Sequence, residues 1–215
     1  MKSYRKFVID KYLSIARWFI PIDLQNDQWN LMIARDTVTL ALLASVSTPF
    51  FAWLYHFLNF DKAGVIVILG GAAMLCSPFA LKFSGRIAFA REVFICSFYA
   101  FKLCLAFYLG GIEAPTLPWF LLCPMIALVL GGVKPGAIWG VIVTVTVFVI
   151  FYLQTTGFPF PPTPISNQSL LQVVSILGLF VFSAIILLFF EFGAYKGVVA
   201  GMRKSDLNEG NLFMK

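Results

Sequence analysis

Lys102 is the residue that asks most of this sequence, because it stands inside an apolar run, YAFKLCLAFYLGG. A cation within a membrane-spanning segment is costly and by default marks a functional site. The alternative is a lysine that snorkels to the nearer interface. Other groups fall at similar depth along the sequence. His56 lies about one helical turn before Asp61, Glu113 follows the run that holds Lys102, and Trp53, Tyr55, Tyr108 and Trp119 add aromatic faces. Together these residues describe an outward-facing ligand pocket with a cation, an acid and a titratable imidazole. Taken singly, His56 also suits a hydrogen-bonded interfacial residue, and the aromatics suit the belt at a membrane surface.

Catalytic chemistry has no comparable signal. The sequence holds no P-loop, no GxSxG, no HExxH and no usefully spaced pair of carboxylates. His56 is the only histidine, and no partners stand at metal-ligand spacing. We therefore expect no catalytic residue, metal or cofactor, and no enzyme, within these 215 residues. Cys76, Cys96, Cys104 and Cys123 lie in apolar stretches without a CxxC pair, so they read as small buried hydrophobes.

The elements that must position Lys102 are apolar helices. Sixty per cent of the residues are hydrophobic and only 12% are charged, against about 25% charged in soluble domains. A crossing helix needs about 20 apolar residues. Six stretches are read as spans, over 37–60, 63–81, 87–109, 119–132, 137–156 and 169–192. The fourth is short for a crossing and contains Pro124. The link between the first two is Asp61-Lys62, and a basic loop from Lys82 to Arg86 follows the second. Residues 133–136 read as a tight turn with Lys134, and the loop GFPFPPTPISNQ as a stiff uncharged cover. Gly70-Gly71 with Ala72-Ala73 forms a face small enough for close helix packing.

Of the 16 lysines and arginines, all but Lys62 and Lys102 fall on one side of this arrangement. The positive-inside rule then sets an even number of spans with both termini cytoplasmic. The expected fold is all-α, a polytopic six-helix protein of the inner (plasma) membrane. Residues 1–36 precede the spans, residues 37–192 hold them, and residues 193–215 form a cytoplasmic tail. In the first segment Phe7, Val8, Tyr12, Ile15, Trp18 and Phe19 recur at near-helical spacing among basic residues, as in an interfacial amphipathic helix ended by Pro21. The stretch from Asp23 to Asn30 reads as a polar connector, and Arg35 marks the start of the first span. Glu92 and Glu191 read as boundary markers at the cytoplasmic face. The net charge of +6 is spread over loops and tails, where anionic lipid explains it, so the bilayer and not nucleic acid is the expected partner.

One segment resembles a known class. Gly110-Gly111-Ile112-Glu113-Ala114-Pro115, followed by Trp119, Pro124, Gly131-Gly132, Gly136 and Trp139, is similar to the GGI-x-(S/A)-P…W…P…GG…G…W series of six-span bacterial input domains. Those domains precede histidine kinase, adenylate cyclase or diguanylate cyclase modules. The end of the sequence, Asn211-Leu212-Phe213-Met214-Lys215, looks like the run entering a kinase phosphoacceptor helix. The resemblance implies a sensory input domain whose catalytic residues have no positions here. Its output module would be absent, truncated or supplied by another chain, with a homodimer and a cytoplasmic signalling module as partners. Signal would leave through Glu191, Tyr195, Val199 and Met202, which follow or close the last span. The competing readings are a membrane scaffold or assembly protein and a small transporter. No internal repeat of the kind transporters use is visible.

Overall fold

The structure, a computed structural model, describes residues 16–161, 167–188 and 191. Among them there is helix and no strand. Six principal helices follow one another: α1 (Gln28–Phe57), α2 (Asp61–Ser84), α3 (Ile87–Tyr108), α4 (Leu122–Gly131), α5 (Val133–Thr155) and α6 (Gln168–Leu188). Apolar sequence without water to compete for the backbone favours helices, because each pairs its own N–H and C=O groups. Four of them, α1, α2, α5 and α6, are long and apolar enough to cross a membrane. The third and fourth expected spans do not meet that measure. α3 has the length but carries Arg91, Glu92 and Lys102, and α4 reaches 15 residues only with its leading 3-10 turn.

The breaks fall where backbone chemistry dictates, which corrects several expected boundaries. α1 starts upstream of Arg35 because Asp27 caps it, accepting from the Trp29 amide at 3.0 Å and the Asn30 side chain at 2.9 Å. The expected connector from Asp23 to Asn30 thus contains that cap, after a helical turn at Ile22–Gln25. Residues 36 and 37 lie inside α1 without interruption. The α1–α2 turn is Leu58-Asn59-Phe60, with Asn59 at φ 60°, and Asp61-Lys62 form the first turn of α2. Asp61 there suits the positive end of the helix dipole. Gly85 at φ 66° caps α2, so the basic loop shortens to Gly85-Arg86. Gly132 alone breaks α4 from α5. The expected turn at 133–136 is instead the start of α5, where Pro135 loses no helical hydrogen bond.

α1 packs along α2 and α2 along α3, while α4 packs against α5. Gly70 receives the Phe101 ring of α3, and Gly71 receives Thr48 of α1. A Cβ at Gly70 would stand 2.5 Å from that ring. The small-residue face is therefore a packing face between neighbouring helices. Pro49 removes the N–H that would bond the Ser45 carbonyl, and the Thr48 hydroxyl donates to that carbonyl at 2.6 Å instead.

The described end of the N-terminal segment joins the bundle. Ala16, Phe19 and Ile20 are buried against Ala34, Val38, Leu81 and Ala90. Trp18 is exposed beneath the Lys82 ammonium, 2.9 Å from the ring centroid. Phe7, Val8, Tyr12 and Ile15 lie outside the described residues, as do Tyr195, Val199 and Met202. Cys76, Cys96 and Cys104 face outward, and only Cys123 is buried as expected.

Candidate functional site

Lys102 stands at the sixteenth of the 22 residues of α3. Its side chain turns inward and is 7% exposed, so it does not snorkel outward. The Nζ lies 3.9 Å from the Trp119 ring centroid, 4.9 Å from Phe101 and 5.5 Å from Phe98. Among the described residues it has no ion pair and no hydrogen bond. A desolvated cation–π contact contributes on the order of 1–2 kcal/mol. An ammonium in hydrocarbon costs at least about 3 kcal/mol. The rings lower that penalty and leave the three N–H donors unused.

Lys102 lines a cavity of about 40 Å³ between α1, α2, α3 and α6. That is room for roughly three waters, at 10–15 Å³ each on the same measure. Thr48, Phe51, Leu54 and Tyr55 reach it from α1, and Leu171, Val174, Ser175 and Phe182 from α6. Thr116 closes it from the α3–α4 connection. Its hydroxyl is buried with no hydrogen-bond partner among the described residues.

Trp119 holds this site to α6. Its indole N–H donates to the Ser175 hydroxyl at 2.8 Å and to the Ser175 carbonyl at 3.1 Å. The Ser175 hydroxyl in turn donates to the Pro115 carbonyl at 2.6 Å. Gly178 lets α6 come this close, since a Cβ there would stand 2.9 Å from the Trp119 ring and 3.2 Å from Phe51. One indole thus presents its face to Lys102 and its edge to the last described helix.

The expected ligand residues converge only in part, with Tyr55 joining Lys102 and Trp119 in the cavity wall. Lys102 and Trp119 meet, while Tyr108 is half-buried outside the cavity wall. Trp53 is 61% exposed and stacks on Phe57. His56 pairs with Asp61 at 2.6 Å, but both side chains are 75% exposed, where such a pair is worth little. Glu113 is exposed on a 3-10 turn. Trp53 on α1 points away because Tyr55, two residues on, takes the inward position. Glu191 is helical and exposed. Among the described residues no three His, Cys, Asp or Glu side chains gather as a metal site.

Thr116, Ser175 and Gly178 escaped the sequence reading. A small polar residue in a span barely alters its hydropathy. Ser175 and Gly178 are three apart, which puts them on one helix face, and that spacing was the available signal.

The series from Gly110 to Trp139 is spread over geometric tasks. Gly110 and Gly111 have φ of 94° and 68°, and the Ile112 amide donates to Gln154 at 2.9 Å. Gly131 leaves space for the Arg91 guanidinium. Trp139 donates to Glu92 at 2.9 Å, and Arg91 holds the same carboxylate at 2.6 Å. Glu92 therefore bridges α3 and α5 as well as marking a helix end. No protein-family model, curated protein or solved structure matches this chain.

Proposed function

We propose that this chain is a membrane-embedded signal-input domain of the two-component type, serving a histidine kinase-like output module outside these 215 residues. The carrying observation is the Trp119 indole, which couples the Lys102 cavity to α6 through Ser175. A ligand that displaces Lys102 or Trp119 moves the seat of α6. α6 leads toward residues 193–215, so the shift reaches an output helix and its dimer partner.

Six crossings, both termini cytoplasmic and an inner-membrane location complete the reading. α3 is about 33 Å long at 1.5 Å per residue, enough for a core of about 30 Å. Its Arg91 and Glu92 neutralise each other near one end, and Lys102 faces the cavity. The 3-10 turn Leu117–Leu121 and α4 together extend about 25 Å, a modest shortfall that tilt or local thinning absorbs. Contacts also sort the ends. Trp18 meets Lys82, and Gly131 meets Arg91, at the basic end. Phe107 meets Phe158 and Phe160 at the other.

The test is disulfide crosslinking of single cysteines along 193–215, in a chain whose four native cysteines are replaced, in vesicles. Native Lys102 and Lys102→Met should give crosslink patterns of different register. Identical patterns would remove the sensory reading and favour a scaffold.

A further inference from the structure

We infer that the Lys102 cavity seats the carboxylate of an amphiphile, with its acyl tail lying between α1 and α6; this rests on reading the cavity as the ligand site. The buried Thr116 hydroxyl lacks a hydrogen-bond partner among the described residues, and the Lys102 ammonium, which faces the same cavity, forms no hydrogen bond among them. Both can donate. No acidic side chain lines the cavity. The missing group is therefore an anionic oxygen acceptor, with one oxygen available to each donor.

Room for roughly three waters accommodates the three heavy atoms of a carboxylate. Beside the hydroxyls of Ser47, Thr48, Tyr55 and Ser175, the wall is mostly apolar, with Phe51 and Leu54 from α1 and Leu171, Val174 and Phe182 from α6. Phe51, Val174 and Phe182 are only half-buried, so this wall reaches the surface of the bundle. A bare anion would leave that wall unused. An acyl chain covers it and has a direct route from the bilayer.

Trp119 makes such a ligand consequential. A carboxylate on Lys102 draws the ammonium off the indole face, and a tail against Phe51 and Phe182 presses on the ring's two aromatic neighbours, whose centroids both stand 5.6 Å away. The indole N–H bonds to Ser175 carry either displacement to α6.

The experiment photolabels the full purified chain in nanodiscs with dodecanoic acid bearing a terminal diazirine and maps adducts by mass spectrometry. Adducts should fall on α1 near Phe51 and on α6 between Leu171 and Phe182. Excess dodecanoate should compete and dodecanol should not. Labelling should fall about ten-fold or more in Lys102→Met, which corresponds to about 1.4 kcal/mol. Thr116→Val removes only the hydroxyl, should weaken labelling about three-fold, and keeps the test sound if Lys102→Met melts early. Equal competition by dodecanol, or unchanged labelling in both variants, overturns the proposal. Equal competition by acetate overturns the acyl-tail half and assigns a small water-borne carboxylate. The two readings separate by crosslinking in the presence of dodecanoate. Specific labelling with unmoved tail crosslinks removes the sensory reading and keeps the site. Shifted crosslinks in Lys102→Met without specific labelling remove this ligand and keep the sensory reading.

Discussion

Two single-residue changes separate stability from function at the cavity. Thr116→Val replaces a buried hydroxyl that has no partner among the described residues, and apolar replacement of an unsatisfied group removes its desolvation penalty. The ligand-free protein should gain about 1 kcal/mol in thermal or denaturant unfolding in detergent. A loss of similar size would mean that the hydroxyl is satisfied in the membrane. Ser175→Ala acts in the opposite sense. It leaves the Trp119 N–H with only the Ser175 carbonyl at 3.1 Å and orphans the Pro115 carbonyl, so stability should fall by about 1–3 kcal/mol. Lys102 and Trp119 were legible in the sequence because a charge and a large aromatic stand out in an apolar run. His56, Glu113 and Trp53 misled at this scale. Depth along a span is readable from sequence, but the azimuth around a helix that is apolar on every side is not.

Helices and their ends obey local rules more closely. Gly132 has φ 82° and ψ −168°, a region that costs a residue with a Cβ about 1–3 kcal/mol. Gly132→Ala should therefore destabilise the α4–α5 hairpin by that amount. Gly140 provides the control. It sits in α5 with nothing near its absent Cβ, so Gly140→Ala should be neutral or stabilise by up to about 1 kcal/mol. Comparing unfolding midpoints of the two variants checks the assignment, and equal losses would place the break elsewhere. The order of the six principal helices followed from apolar runs punctuated by Gly85, Gly110 and Gly132, but only four of them are long and apolar enough to be membrane spans. Exact ends did not follow, because charged residues such as Asp61, Lys62 and Lys134 are as much at home in a first helical turn as in a loop. Asp27 was readable as a cap in principle, but the polar run around it masked the signal.

For the whole molecule, the distribution of charge and the packing make one joint prediction. The basic ends of α1, α2, α3 and α5 carry Arg35, Lys82, Arg86, Arg91 and Lys134, while Lys62 stands at the other end of α2 with His56 and Asp61. On the proposed six-span reading a bilayer of about 30 Å would separate those ends, and the positive-inside rule would assign the basic one to the cytoplasm. Lys62→Cys should react with a membrane-impermeant maleimide on intact cells, in a chain whose native cysteines are replaced. Lys134→Cys should react only after permeabilisation. Both residues sit in first helical turns, so exposure of the backbone does not explain a difference between them. Reversed labelling would invert the orientation and place the cavity mouth on the cytoplasmic side. Equal labelling of both on intact cells would mean that α2, α3 and α4 together do not cross an odd number of times, and the six-span reading would fall with it. The proposed even count of crossings also bears on signalling. α6 is the element that joins the cavity to residues beyond 191, and only a cytoplasmic exit for it lets a shift at Ser175 meet an output module.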